Sequence, residues 1–203
     1  MFGFLLLSSG LFWTIAYLLI IIKGDRDRTY GMPVVALCAN LSWEFIFSFI
    51  YPSRFPQRLI NFIWLGLDVI IFAQLINYGS REFPNLSKSQ FYSMIILGLL
   101  TSFGTILLIC QEFKDFGGVY AAFGQNLMMS ILFVGMLFYR DSLRGQSRGI
   151  ALCKLLGTGC ASLAFYLLYR RIGDGSVLLP FLYVTIFIYD LIYLVMLERL
   201  KRE

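Results

Sequence analysis

Histidine is absent from the chain, and charged residues fill only 14% of its 203 positions. Without an imidazole there is no thiolate–imidazole metal site and no Cys–His catalytic pair. A soluble domain carries about 25% charged residues, so the low charge speaks against one. Cysteine is also scarce: the four residues Cys38, Cys110, Cys153 and Cys160 form no CxxC pair. Cys153 and Cys160 lie two turns apart on one helix, about 10 Å, which is too far for a disulfide. All four read as small apolar core residues. Internal repeats, low-complexity stretches and a soluble appendage are missing too.

Long apolar runs dominate instead, with hydrophobic residues making up 59% of the chain. Runs of about 20 such residues read as membrane spans. Seven are expected, near 3–22, 33–51, 60–78, 91–110, 118–139, 149–169 and 177–198. The first lacks the basic leader and the short apolar region of a signal peptide. The expected fold class is all-α: one polytopic domain over residues 1–203, a bundle of seven transmembrane helices. Short polar turns separate the spans. Pro33 suits a first helical turn, Pro52 ends the second span, residues 79–90 form the longest loop, and Gly173-Asp-Gly-Ser precedes the last span.

The net charge of +5 does not point to nucleic acid, because the basic residues gather at span ends. The loops after spans 1, 3 and 5 and the C-terminus hold eleven of them; the N-terminus and the other loops hold five. The richer side is expected to be cytoplasmic. That places the C-terminus inside and the N-terminus outside or lumenal, in the endoplasmic reticulum of a eukaryote or the inner membrane of a bacterium. Lys154 falls within span 6 and is expected to snorkel to the cytoplasmic face. Gly98, Gly104, Gly124, Gly157, Gly159 and Ala161 interrupt the spans and read as close-packing positions.

Three carboxyls lie near mid-span: Glu44, Asp68 and Asp190. Inserting each costs about 2.5–3.5 kcal/mol on the translocon scale, so an intramembrane acid is a functional hypothesis by default. Helical spacing puts Asn40, Glu44, Phe47 and Tyr51 on one stripe, with Trp43 beside it. Asn61, Trp64 and Asp68 share a face of span 3; Tyr183, Phe187, Asp190 and Tyr193 share one of span 7; Gln125 and Asn126 sit at similar depth in span 5. Converging, these faces would line one cavity holding Glu44 and Asp190 together. A carboxyl in a dry site keeps its proton more readily than in water, and two neighbouring carboxyls resist ionising together. Aromatic faces stabilise cations that water does not reach. Such a pocket suits carbocation chemistry on an isoprenoid. The plainer alternative is that buried acids and amides only bond neighbouring Tyr, Asn or Trp and associate helices. It is about as good a reading for Asp68, and the better one for Gln125 and Asn126.

The segment Thr29-Tyr-Gly-Met-Pro33 followed by Asn40-Leu-Ser-Trp43-Glu44-Phe, after one apolar span, resembles the small integral-membrane terpene cyclases of meroterpenoid and indole-diterpene biosynthesis. Chain length, seven spans, Trp64 with Asp68, and Tyr189-Asp190 fit the same family. The resemblance covers nearly the whole chain, and Asn-x-x-Trp-Glu is its most specific part. It implies a hydrophobic prenylated aromatic or polyketide substrate, often epoxidised, that is protonated by an acid, closes rings as a cation and loses a proton to a base. The family's two essential acids match Glu44 and Asp190. Glu44 is assigned as general acid, and Asp190 as its partner or the final base. Asn40, Trp43, Phe47, Trp64, Asp68, Tyr183, Phe187 and Tyr189 are the expected substrate-binding residues. The Asp-rich motifs of soluble terpene cyclases do not occur; Asp25-Arg-Asp27 fits neither. No metal, Mg²⁺–diphosphate ionisation or other cofactor is expected. Two rival readings are a proton-coupled carrier of the seven-helix sugar-transporter type and a non-catalytic scaffold. The first finds only one Pro-Gln dipeptide, Pro56-Gln57, and no second copy; the second leaves three mid-span acids unexplained.

Overall fold

A computed structural model describes residues 1–172 and 175–201; Gly173 and Asp174, named above for a turn, and Arg202, one of the eleven basic residues of the richer side, lie outside the described residues. Among the described residues there are seven helices and no strand. They are α1 (Phe2–Asp27), α2 (Val34–Phe45), α3 (Gln57–Tyr78), α4 (Lys88–Glu112), α5 (Val119–Arg140), α6 (Arg148–Ile172) and α7 (Leu178–Leu200). A π-helical turn, Ile46–Ile50, continues α2, and a 3₁₀ turn, Gly79–Glu82, continues α3 into the expected long loop.

Six of the helices are long and apolar enough to cross a membrane. The second is the exception, because the apolar helix Val34–Ile50 is shorter. At 1.5 Å per residue it reaches about 25 Å, less than the roughly 30 Å hydrocarbon layer. Local sequence sets the ends. Pro33 precedes α2, and its carbonyl accepts the Leu37 N–H at 2.9 Å. The π turn stops before Pro52, consistent with the restriction that proline places on its predecessor. Ser87 and Gln90 form a reciprocal capping box at α4.

The helices α1, α6, α7, α5, α2 and α3 pack in that order around a closed ring, and α4 lies outside it, mainly against α2. Polar side chains turn inward and large apolar ones outward. Asn40, Glu44, Asn61, Asp68, Ser130, Lys154 and Asp190 are all buried, while Leu7, Leu11, Leu97, Leu100, Leu108, Val184 and Phe187 are exposed. Two of the interrupting glycines serve close packing. A Cβ on Gly157 would stand 2.7 Å from the Trp13 ring, and one on Gly98 would stand 3.2 Å from Cys38 Sγ. Gly104, Gly124 and Gly159 face open space. All four cysteines are free, Cys38 and Cys110 buried.

One end of the ring is stapled by charge. Glu82 meets Arg140 at 2.9 Å and Arg144 at 3.4 Å, and Thr29 donates to the same carboxylate. Arg140 also lies over the Tyr30 ring, 4.5 Å from its centroid, and burial pushes the Tyr30 phenol up to about 12. This end carries Lys23, Arg28, Arg140, Arg144 and Arg148, part of the richer basic set. Lys154 does not join it. Contrary to the snorkelling expectation, Lys154 is 1% exposed and ion-pairs with Asp190. It sits about two turns into α6, and its ammonium finds a counter-charge sideways before its stem reaches the end of the bundle.

Candidate active site

A cavity of about 250 Å³ lies inside the helix ring, just under the roughly 300–1,000 Å³ of typical small-molecule sites. Its walls come from α1, α2, α3, α5 and α6. It runs from Leu6, Ser53, Gln57, Gly118 and Phe165, at the end opposite the charge cluster, inward to Tyr17, Glu44 and Met129. All three tryptophans of the chain, Trp13, Trp43 and Trp64, line it, together with Tyr17, Phe123 and Phe165.

At its inner part sits a group of five polar side chains. Asn40 Nδ2 donates to the Tyr17 hydroxyl at 2.7 Å, and Gln125 Nε2 donates to Asn40 Oδ1 at 3.3 Å. With its oxygen receiving the Asn40 N–H, Tyr17 can turn its own proton toward the acids. The Tyr17 hydroxyl is 3.0 Å from Glu44 Oε1 and 3.4 Å from Asp68 Oδ2. The Tyr17 hydroxyl thus bridges the two carboxyls. Both carboxyls are buried. Glu44 and Tyr17 face the cavity, whereas Asp68 stands behind them. Glu44 Oε2 and Asp68 Oδ1 have no partner among the described residues.

The π turn directly after Glu44 belongs to the same construction, since such turns concentrate at functional sites. It frees the Phe47 carbonyl, which receives Ser53 N–H at 3.0 Å and Asn61 Nδ2 at 3.3 Å. Phe47 itself is buried behind Trp43, with ring centroids 4.6 Å apart. Trp43 Nε1 donates to the Gly118 carbonyl at 3.3 Å, and Trp64 Nε1 to Thr14 Oγ1 at 3.0 Å. At the outer end Asp115 caps α5, accepting the N–H groups of Val119, Tyr120 and Ala121 at 2.8, 2.7 and 3.1 Å.

The residues expected to converge thus divide. Asn40, Trp43, Glu44 and Trp64 line the cavity; Asp68 backs Glu44 and Phe47 backs Trp43. Span 7 behaves differently, because α7 packs against α5 and α6 and contributes no lining residue. The expected common cavity of Glu44 and Asp190 is therefore not formed: Asp190 turns to Lys154 instead. Phe187 is 51% exposed on the outside of the bundle. Tyr189 is half-buried and packs against the hydrophobic core. Tyr183 does not line the cavity and packs on Phe123, which does, at a centroid distance of 4.6 Å. Sequence reasoning passed over Trp13, Tyr17 and Lys154. The signals for them were a Trp-x-x-x-Tyr pair on one face of α1 and a lone lysine in an apolar span. Gln125 and Asn126, read as structural, both line the cavity.

The family model of the Pyr4-like transmembrane terpene cyclases matches residues 1–203. The chain belongs to this family. Pyr4-family terpene cyclase mfmH of Annulohypoxylon moriforme is 31% identical over 190 residues, covering 91% of this chain and 78% of its own. Terpene cyclase pyr4 of Aspergillus fumigatus is 28% identical over 207 residues, covering 98% and 86%. Terpene cyclase macJ of Penicillium terrestre is 28% identical over 165 residues, covering 78% and 64%. No solved structure matches the chain. As a member of the Pyr4-like cyclases the chain is an integral-membrane enzyme that acts on a hydrophobic terpene substrate.

Proposed function

We propose that this cyclase protonates the terminal epoxide of a prenylated aromatic or polyketide and guides the resulting cation through ring closure, with Glu44 as general acid. The observation that supports this most is a cavity-facing carboxyl, Glu44, backed by Tyr17 and Asp68 and surrounded by all three tryptophans of the chain. The Glu44 proton passes to the epoxide oxygen, the strained C–O bond breaks, and its electrons become the new hydroxyl. The carbon left electron-deficient is attacked by a neighbouring alkene, forming a C–C bond and moving the cation onward. Loss of a proton from the last cation forms an alkene and restores the acid pair. The product is an isomer of the substrate. Protonation alone activates the epoxide, so the reaction needs no metal or other cofactor.

Each element of the site then has a task. Tyr17 donates to Glu44 as that carboxyl gives up its proton, a charge-assisted hydrogen bond of the strong kind. Positioned proton transfer of this type contributes about 10²–10⁴-fold in rate. The faces of Trp13, Trp43 and Trp64 attract the migrating cation, each by about 0.5–2 kcal/mol. The apolar wall keeps out water that would capture the cation early.

With the basic end cytoplasmic, the N-terminus and the cavity mouth face the lumen of the endoplasmic reticulum. Residues 1–203 then form one seven-helix unit in which α2 also traverses the bilayer.

The test supplies membranes containing the protein with an epoxidised farnesylated aromatic and searches for a cyclised product of unchanged mass. Wild type yields it and Glu44→Gln yields none at equal protein level. Full turnover by Glu44→Gln, or an untouched substrate with wild type, overturns the reading.

A further inference from the structure

Lys154 is the one basic residue set inside a span, and it is fully enclosed. Its ammonium donates to Asp190 Oδ1 and, at 2.5 Å, to Ser130 Oγ. Ser130 passes the connection on to the Asn126 carbonyl at 2.9 Å, and the Asn126 side chain donates to Thr158 at 3.0 Å. The ammonium also lies 5.8 Å from the centre of the Trp13 ring and 5.9 Å from that of Phe133. Trp13 and Asn126 line the cavity. The charge pair is thus one ring away from the proposed path of the cation, on the far side of the wall. Asp190 is 1% exposed and absent from that wall.

We propose that Asp190 serves cyclisation as the counter-ion of Lys154, holding Trp13 in place and cancelling a positive charge behind it, and takes no proton from the substrate. This rests on the cation-cyclisation reading above. Two physical consequences follow from the geometry. An uncompensated ammonium beside a low-dielectric cavity repels a carbocation inside it, because Coulomb interactions there are weakly screened. It also abandons its buried position, and Trp13, seated between Lys154 and the Cβ-free surface of Gly157, loses its backing. The acid matters because the base is there. Removing one partner of a buried ion pair is strongly damaging, whereas replacing both by apolar residues of similar volume is often neutral. Asp190 is therefore a positioning residue, needed only while position 154 is charged.

The experiment compares wild type, Asp190→Asn, Lys154→Met and the double variant Lys154→Met/Asp190→Leu in membranes, with an epoxidised farnesylated aromatic. Turnover and KM are normalised to folded protein, and products are identified by mass and retention. Asp190→Asn should lower turnover by at least about tenfold with little change in KM, and its residual product should be the wild-type isomer. The double variant should regain at least about tenfold over Asp190→Asn. A folded double variant no more active than Asp190→Asn overturns the proposal. So does a different alkene, or a water-trapped alcohol, from Asp190→Asn, since a missing final base diverts the last cation. If the double variant fails to accumulate, the charge swap Lys154→Asp/Asp190→Lys carries the same comparison. Glu44→Gln, run alongside, separates the two readings. Activity in that variant sinks the proton-donor assignment, while the epistasis between positions 154 and 190 is judged on its own ratio. Thermal melts of the four proteins in detergent should show the same non-additivity whatever the substrate.

Discussion

Tyr17 of α1 holds its hydroxyl 3.0 Å from Oε1 of Glu44, which lies 27 positions later at the end of α2. The phenol is itself fixed by the Asn40 amide, so its proton points to the acids without having to be recruited during the reaction. A donor fixed in advance stabilises the carboxylate as it forms, which is where such groups contribute most. Tyr17→Phe keeps the ring between Trp13 and Trp64 and removes only the hydroxyl. Turnover should drop by about 10–100-fold, matching the roughly 1.5–3 kcal/mol of a hydrogen bond to a charged group. The product should be unchanged. Steady-state kinetics on membranes check this, and an unaltered kcat would remove Tyr17 from the proton path.

Asp68 stands behind Glu44 and shares the Tyr17 hydroxyl with it. Asp68→Asn preserves the shape and a hydrogen-bonding side chain but deletes the second ionisable group. Neighbouring carboxyls resist ionising together, and Asp68→Asn removes that mutual effect. Asp68→Asn should retain turnover between those of wild type and Glu44→Gln, with a pH–rate profile reduced by one ionisation. An identical profile would mean that Asp68 only joins α3 to α1 and α2.

Much of this was legible in the chain. The apolar runs, Glu44 and its stripe of Asn40 and Trp43, and Trp64 with Asp68 all follow from helical period, because a membrane helix writes its inner face in polar residues. The helix contacts were not legible. Asp190 has the same type and depth as Glu44, so spacing alone grouped them. The packing order instead puts α7 behind α5 and α6, where the nearest opposite charge is Lys154. A lysine in an apolar span reads as snorkelling only while its partner is unknown. Trp13 and Tyr17 went unnoticed for a related reason: α1 carries no mid-span acid, and an aromatic pair on an apolar helix looks like lipid-facing surface.

The tryptophan wall gives a prediction about product identity. Trp13 is near the charge pair, Trp64 is hydrogen-bonded to Thr14, and Trp43 is anchored to the loop before α5. Each ring faces the cavity from a different helix, so in the proposed mechanism each meets the cation at a different stage of its migration. Replacing one at a time by leucine keeps the site apolar and removes the π face, worth about 0.5–2 kcal/mol. Gas chromatography with mass detection should show partly cyclised isomers rising at the expense of the full product, with a different pattern for each position. Three variants with the wild-type product ratio would leave the rings as mere filler.

Gly118 controls the mouth of the cavity through its backbone. Its φ of 72° lies in the left-handed region, and a Cβ there would come 2.4 Å from the Phe47 ring. Strain of that kind costs about 1–3 kcal/mol before any clash. The clash adds a displacement of Phe47, whose ring packs at a tilt on Trp43, and Trp43 in turn donates to the Gly118 carbonyl. Gly118→Ala should therefore lower the melting temperature in detergent and reduce turnover together, since Trp43 immediately precedes Glu44 in α2. Asp115→Ala at the adjacent cap provides the contrast. It frees three N–H groups of α5 at a cost of about 0.5–2 kcal/mol without touching Phe47. Its melting temperature should fall while turnover per folded protein stays close to wild type. If Gly118→Ala behaves like Asp115→Ala, the left-handed glycine stabilises the loop and does nothing to hold Trp43 against the cavity.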